Sequence, residues 1–468
     1  MGFNHVVGVD ENYNLPERVR ERQAANLTDP ETPEGAAVHA AAVEQSANLR
    51  SQISSLGKSV YAAGDNSQLS PDVPTVTTIR RDFWEESTIP GTAGWWREKR
   101  VGSAEPAPGA WPSSTAAPDL DGSTYFRYPG TPAAVASDVD PAGLITGAFR
   151  PGGAAVYSRW SLNPSFVTES PTIDIRLFAN AHQEIFARIM VDGRPISPRA
   201  YRNTLTAPGV GMVIRLQFDS PRERTITLYG TSIATQFGGV AVEGGYTVRR
   251  PFAPRRKIAI IGDSWVDGAG TGAETVNSPE TFAFEAALRL GADSIMSAGI
   301  GGTGYINTIS GAPESTFGGR VAAVLADRPD AVIVAGGRND FSYTPAAVRA
   351  AVAALLEQLA DVPEVYVIPT GSESSAPAIR AAIAQGAEDA DRLYIDVPID
   401  SVPKIADNVH PTWEGHQYLA DLVYRTISPL EVVTRDMLDT ALGELIVPLP
   451  TGAPIPEGTR PSAIIVRY

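Results

Sequence analysis

The chain contains no cysteine. Disulfides, thiolate nucleophiles, cysteine zinc sites and iron–sulfur clusters are therefore excluded together. Lysine is nearly absent: only Lys58, Lys99, Lys257 and Lys404 occur, and the remaining basic residues are arginine. No run of 18 apolar residues is present, so no membrane-spanning helix is expected. The first residues, Met1-Gly2-Phe3-Asn4-His5, show no charged segment leading into an apolar stretch, so no secretory leader is expected either. An excess of basic charge is also missing. The formal net charge of −15 argues against a protein that binds nucleic acid by covering phosphates.

What is present is ample core material. The 468 residues are 43% hydrophobic and 19% charged, which is enough for two to four packed domains. The 43 glycines and 38 prolines point to much loop and β structure. Residues 1–60 read as an N-terminal helical attachment segment. Thr32-Pro33-Glu34 supplies a helix start, and Gly57 a stop. Between them Val38, Ala42, Leu49, Ile53 and Leu56 form a narrow apolar stripe, suited to a short coiled-coil seam or to packing on the chain itself. Residues 61–135 read as a Pro/Gly/Trp-rich linker region. Its Trp84, Trp95, Trp96 and Trp111 serve either as a small core in a loop-rich segment or as a sugar-stacking platform, the first being the commoner use.

Residues 136–253 carry short alternating runs separated by turns, with Val191-Asp192-Gly193-Arg194 as a hairpin signal. Strands at this spacing without helices between them predict an antiparallel, jelly-roll-like β-sandwich. From residue 254 to 430 the pattern changes. Continuous apolar runs at Lys257–Ile261, Ser294–Ala298, Ala331–Ala335, Val365–Ile368 and Leu393–Val397 alternate with helical stretches at Pro279–Leu290, Gly319–Ala326, Thr344–Leu359, Ala376–Ala384 and Thr412–Thr426. This is the signature of a parallel sheet covered on both faces, whose sites form at the carboxyl ends of the strands. Residues 431–468 read as a C-terminal tail with a short helix at Thr434–Leu442 and a final strand at Ser462–Tyr468.

The chemistry-bearing residues cluster at those strand ends. The first apolar strand runs into Gly262-Asp263-Ser264, which is ordinary turn chemistry but also sets a hydroxyl where a nucleophile is needed. A serine needs a base, usually histidine. Of the five histidines, His410 and His416 fall in the parallel-sheet region. His410 lies in Asp407-Asn408-Val409-His410-Pro411, with Asp407 placed to orient its ring. His416 sits inside the following helix and reads as structural. Acyl transfer also needs oxyanion donors. Ser297-Ala298-Gly299-Ile300-Gly301-Gly302 offers backbone N–H groups, and Gly336-Gly337-Arg338-Asn339-Asp340 offers the Asn339 amide, with Asp340 most simply a cap or turn residue.

In chain order these blocks carry Ser264, Gly302, Asn339 and His410, and the set resembles the SGNH (GDSL-type) hydrolases. The resemblance implies a flavodoxin-like α/β/α domain over residues 254–430, with esterase or acetylhydrolase activity and no metal or organic cofactor. It assigns Ser264 as nucleophile, His410 as base and Asp407 as its orienter. The oxyanion hole falls to the N–H groups of Ser264 and Gly302 and the amide of Asn339. Ser297 stands where many members have Asn, and Trp265 where an aliphatic residue is common. Trp265, Arg338 and Trp413 are expected to line the substrate. The preceding sandwich resembles two-domain carbohydrate esterases, and the two ends of the chain resemble tail proteins of phages that infect actinobacteria. The combined expectation is an esterase that removes short acyl groups from a bacterial surface glycan, carried on a virion as a homo-oligomer, most simply a trimer, with other tail proteins as partners. The alternatives are a non-catalytic structural or receptor-binding tail protein, and a free-standing lipase or thioesterase.

Overall fold

In the computed structural model the described residues are 69–80, 87–97, 102–108, 122–129, 145–146, 163–179, 184–204, 210–230, 235–270, 276–309, 311–371, 376–428, 446–449 and 464–467. They fall within one compact unit, residues 66–468. The expected N-terminal helix and the helix at Thr434–Leu442 lie outside the described residues. No helix among the described residues is long and apolar enough to cross a membrane.

Two antiparallel sheets form the sandwich. The first runs in the order Thr75–Arg80, Val210–Gln217, Thr172–Ala179, Thr235–Val242, Ile145–Thr146. The second joins Ser165–Thr168, Arg224–Gly230 and Glu184–Val191, with Arg194–Pro195 and Tyr201–Thr204 both paired to the last of these. Alternation sends Ile173, Ile175, Leu177, Ile214 and Leu216 from one sheet against Ile189, Val191, Ile226 and Leu228 from the other. The predicted hairpin forms at Asp192-Gly193, both at positive φ, with Val191 opposite Arg194.

The linker reading of residues 61–135 requires correction. Thr75–Arg80 is an edge strand of the first sheet, and Trp96, Phe126 and Tyr128 belong to the sandwich core. Trp96 exchanges backbone hydrogen bonds with Val240 at 2.7 and 3.0 Å, where Gly239 at φ +102° leaves room for the Trp96 carbonyl. Trp95 is buried with the Arg176 guanidinium 4.1 Å from its ring centre. These two tryptophans are therefore core, and no stacking platform is made from them. Trp84 and Trp111 lie outside the described residues.

The second half builds a parallel sheet. Its strands are β1 (Lys257–Gly262), β2 (Ser294–Gly299), β3 (Ala331–Gly336), β4 (Glu364–Pro369) and β5 (Leu393–Tyr394). Their spatial order is 2-1-3-4-5, the flavodoxin-like arrangement, with β1 at the topological switch point. Helices α1 (Phe282–Arg289) and α5 (Trp413–Ile427) cover the face that carries Ile258, Ile260, Ile295 and Ile333. Helices α2 (Val321–Ala326), α3 (Pro345–Gln358) and α4 (Pro377–Asp389) cover the face that carries Ile261, Met296, Val332 and Val334. Thr344 and Thr412 cap α3 and α5 through their side chains, and so fix where the preceding loops end. The apolar run continuing to Val397 pairs regularly only over Leu393–Tyr394.

The sandwich and the parallel-sheet region share an interface of apolar contacts and ion pairs. Met190 and Tyr229 face away from the sandwich core and join the core under α1. Tyr229 meets Phe284 edge to face at 4.9 Å. Arg188 pairs with Glu285 at 2.8 Å, and Arg199 and Arg202 pair with buried Glu280 at 2.8 and 2.9 Å. Burial alone would raise the Glu280 carboxyl. The hydrogen bond and charge of Arg199, the charge of Arg202 and the Ala200 N–H outweigh this and hold it below the usual range. At the C-terminus, Ile446–Leu449 and Ile464–Arg467 form a two-stranded parallel ribbon.

Candidate active site

The centre of the site is the end of β1. A side chain at Gly262 would overlap Val266 and the Ala335 carbonyl, so glycine is required for the chain to turn this tightly under β3. Asp263 is fully buried. Its carboxylate accepts from the Trp265 N–H at 2.9 Å and from the Thr370 hydroxyl at 2.7 Å, which fixes the single helical turn Ser264–Asp267. Burial pushes the Asp263 carboxyl up to about 6, even though the Thr370 and Trp265 hydrogen bonds pull the other way.

That turn presents Ser264 to a loop 146 residues downstream. The Ser264 Oγ lies 2.7 Å from Nε2 of His410, and Nδ1 of His410 lies 2.6 Å from Asp407. The sequence between Asp407 and α5 explains how the ring is held. Asn408 takes a left-handed conformation at φ +57°, which asparagine tolerates. The turn lets Asp407 also accept from the Val409 and His410 N–H groups at 2.8 and 3.0 Å. Burial works against the charged form of Asp407, but these three hydrogen bonds prevail and hold the carboxyl below its ordinary value. The Asp407 side chain is 42% exposed, so water screens part of its effect on the ring.

The two loops expected to supply oxyanion donors are tied to each other. The Asn339 amide donates to the Thr303 carbonyl at 2.8 Å, which engages one of its two N–H groups and leaves the other for a ligand. The Asn307 amide donates to the Gly302 carbonyl at 2.6 Å, and Gly302 turns at φ +78°. Among the described residues, the N–H groups of Ser264 and Gly302 donate to no protein acceptor. Asp340 does more than cap a turn. Its buried carboxylate accepts from the N–H groups of Tyr305, Ile306 and Asn307 at 2.9–3.0 Å and thereby shapes the loop after Gly302.

Arg320 was invisible to pattern reading. It is 1% exposed and reaches the carbonyls of Gly262, at 2.9 Å, and Ala298, together with the Thr303 hydroxyl at 3.0 Å. Burial lowers its pKa to about 9, against the pull of Asp263 and Asp267. An arginine here ties the ends of β1 and β2 to the oxyanion loop.

The substrate-lining expectations divide. Trp265 and Arg338 lie on the wall of one cavity of about 170 Å³, with Thr370, Lys404 and Val409. Trp265 is only 1% exposed, packed near His416, so it offers an edge and not a flat face to a sugar. Trp413 is half-buried with the Arg199 guanidinium 5.5 Å over its ring, so that face of the ring is covered. Phe341, two residues beyond Asn339, is 68% exposed, and Tyr343 on the same loop is exposed as well. His416 is structural: it is buried, stacks on Phe282 and accepts from the Phe282 N–H at 3.1 Å, and burial lowers its pKa to about 3. Among the described residues no cluster of three His, Asp or Glu side chains is arranged to hold a metal. A larger groove of about 660 Å³ lies between α3 and α4, is lined mainly by alanines, and includes none of these site residues.

A serine hydroxyl bonded to an imidazole, which is bonded to a carboxylate, at the switch point of such a sheet defines a serine hydrolase site. Residues 260–418 match the GDSL-like lipase/acylhydrolase family, and this part of the chain is an SGNH-type carboxylic ester hydrolase domain. No curated protein matches the chain in sequence. Among solved structures, a salicylyl-acyltransferase from a tetracycline biosynthetic pathway is 15% identical with a TM-score of 0.51, covering 67% of this chain and 97% of that one. A family two carbohydrate esterase from Clostridium thermocellum is 17% identical with a TM-score of 0.47, over 58% of this chain and 93% of that one. An acetyl xylan esterase from the rumen bacterium Butyrivibrio proteoclasticus is 16% identical with a TM-score of 0.45, over 66% and 98%.

Proposed function

We propose that this chain removes O-acetyl or other short acyl groups from a carbohydrate of a bacterial cell surface, as part of a phage tail. The observation that carries the chemical half is the unbroken line Ser264–His410–Asp407, at 2.7 and 2.6 Å. His410 Nε2 takes the Ser264 proton as Oγ attacks the acyl carbon. The oxyanion so formed is held by the N–H groups of Ser264 and Gly302 and the remaining N–H of Asn339. His410 then passes the proton to the departing sugar hydroxyl. Water, deprotonated by the same ring, releases the acid and restores Ser264.

The carbohydrate half is supported by the composition of the loops around the site. The long connections after β1 and β2 are rich in Gly, Thr, Ser, Asn and Pro and poor in the large apolar side chains that would line a channel for a lipid chain. Phe341 stands exposed on the loop carrying Asn339, where a sugar ring can stack. The tail setting draws on the Ala-rich N-terminal stretch and the character of the C-terminus.

The test is hydrolysis of acetate, butyrate and octanoate esters beside a Ser264→Ala control, followed by acetate release from an O-acetylated bacterial glycan. Activity that falls steeply with acyl length and vanishes in the control fits the proposal. A preference for octanoate overturns the carbohydrate reading in favour of a lipase. For the tail setting, light scattering of the full chain reads the oligomer: a trimer fits, and a monomer at micromolar concentration does not.

A further inference from the structure

We propose that the cavity beside the nucleophile is a subsite for an anionic group, a carboxylate or phosphate carried by the ester substrate. The inference rests on the esterase reading and specifies its substrate class. The cavity, about 170 Å³, is built from immediate neighbours of the reacting residues: Trp265 follows Ser264, Arg338 precedes Asn339, and Val409 precedes His410. A group bound there is covalently close to the ester under attack.

Its lining carries two cationic side chains, Arg338 and Lys404. Most arginines of the described residues are committed to carboxylates, as Arg188, Arg215, Arg349 and Arg380 show. The guanidinium of Arg338 and the ammonium of Lys404 have no such partner among the described residues; Arg338 engages Thr370 only through its backbone N–H, at 3.3 Å. The other lysine described, Lys257, is paired with Asp327 at 3.1 Å. Asp400 is the one carboxylate among the described residues of the wall, against the two cations. In a chain of net charge −15, two uncommitted cations around one small cavity next to the nucleophile form a local reversal of sign. The ligand chemistry that satisfies them is an oxyanion acceptor, which charge-assisted hydrogen bonds bind most strongly.

The anion has two possible sources, the sugar or the acyl chain, and matched substrate pairs separate them. The full chain is assayed on an acetylated methyl glucoside against its acetylated glucuronide, and on p-nitrophenyl acetate against p-nitrophenyl hemisuccinate. In one of the pairs the anionic member is expected to show a kcat/KM higher by about ten- to a hundredfold. The pair that shows it names the source. Lys404→Ala lowers that ratio about tenfold, Lys404→Arg preserves it, and Arg338→Met lowers it again; raising the salt concentration also reduces it. Ratios at or below one in both pairs, with all four esters hydrolysed, overturn this assignment alone. No hydrolysis of any ester overturns the esterase reading and this assignment with it.

Discussion

The carboxylate of Asp340 fills the space that a side chain at Gly304 would need. The two residues lie on different loops, one after β3 and one after β2. Their contact lets Asp340 collect the three successive N–H groups that follow Gly304. Gly304→Ala is therefore expected to push the oxyanion loop off its anchor and lower kcat about a hundredfold. Asp340→Ala leaves three N–H groups without their acceptor and is expected to lower stability by roughly 3 kcal/mol or more. Urea titration and steady-state kinetics of the two variants check this.

The two histidines of the hydrolase domain are expected to fail differently. His410→Ala leaves the fold intact and brings ester hydrolysis to background. His416→Ala opens a buried gap and strands the Phe282 N–H, lowering stability by about 2–4 kcal/mol, while the folded fraction keeps its turnover. Measuring melting temperature and kcat together separates the two outcomes. Asp407→Asn is expected to lose about 10–10³-fold, less than a buried triad acid would, because its carboxylate is partly exposed.

Asn339→Ala removes an oxyanion donor and also the tie to Thr303. The expected loss is about 10²–10³ in kcat with a small change in KM. A change confined to KM would move Asn339 from the transition state to ground-state binding.

Asp263 makes a pH prediction. Its carboxyl is raised from 3.8 to about 6 in the folded chain, so the native state holds the proton more tightly than the unfolded state does. Stability from this group is full below about 3.8 and is lost as pH rises to about 6, a fall of about 3 kcal/mol. Asp263→Asn keeps an acceptor for the Trp265 N–H and carries no charge. The stability of the variant relative to the parent should therefore grow between pH 4 and pH 7 and level off above. Glu280 and Asp407, shifted the other way, are common to both proteins and cancel in the comparison.

Phe341→Ala is expected to raise KM for acetylated oligosaccharides by about tenfold and to leave p-nitrophenyl acetate, which has no sugar ring, nearly unaffected. Parallel losses on both substrates would show that the ring serves the loop and not the sugar.

Much of the site was legible because its residues stand at the ends of apolar strands. The runs at Lys257–Ile261 and Ala331–Ala335 place Ser264 and Asn339 at the carboxyl ends of strands, and the helical stretch from Thr412 leaves His410 in the loop before it. Other features depend on contacts across long stretches of chain. Thr75–Arg80 pairs with a strand some 135 residues later, so its β-branched Val76, Thr77, Thr78 and Ile79 were the only local hint. Arg320 gave no hint, since an arginine in a helical stretch ordinarily lies at the surface. Trp265 and Trp413 stand beside Ser264 and His410 in sequence, but which side of a ring faces solvent is decided by packing, here by His416 and Arg199.

The charges at the sandwich interface bear on how this chain can be cut and recombined. Glu280 and Glu285 sit in the hydrolase half, while Arg188, Arg199 and Arg202, which neutralise them, sit in the sandwich. A fragment beginning near residue 254 would carry two stranded carboxylates and a bare apolar patch around Phe284. The esterase is thus not a detachable cassette. In any chimaera, the sandwich has to travel with the catalytic sheet as a single unit of inheritance, and a viable joint falls before Ser70, because the Ser70 N–H bonds the Pro195 carbonyl and Asp72 pairs with buried Arg224.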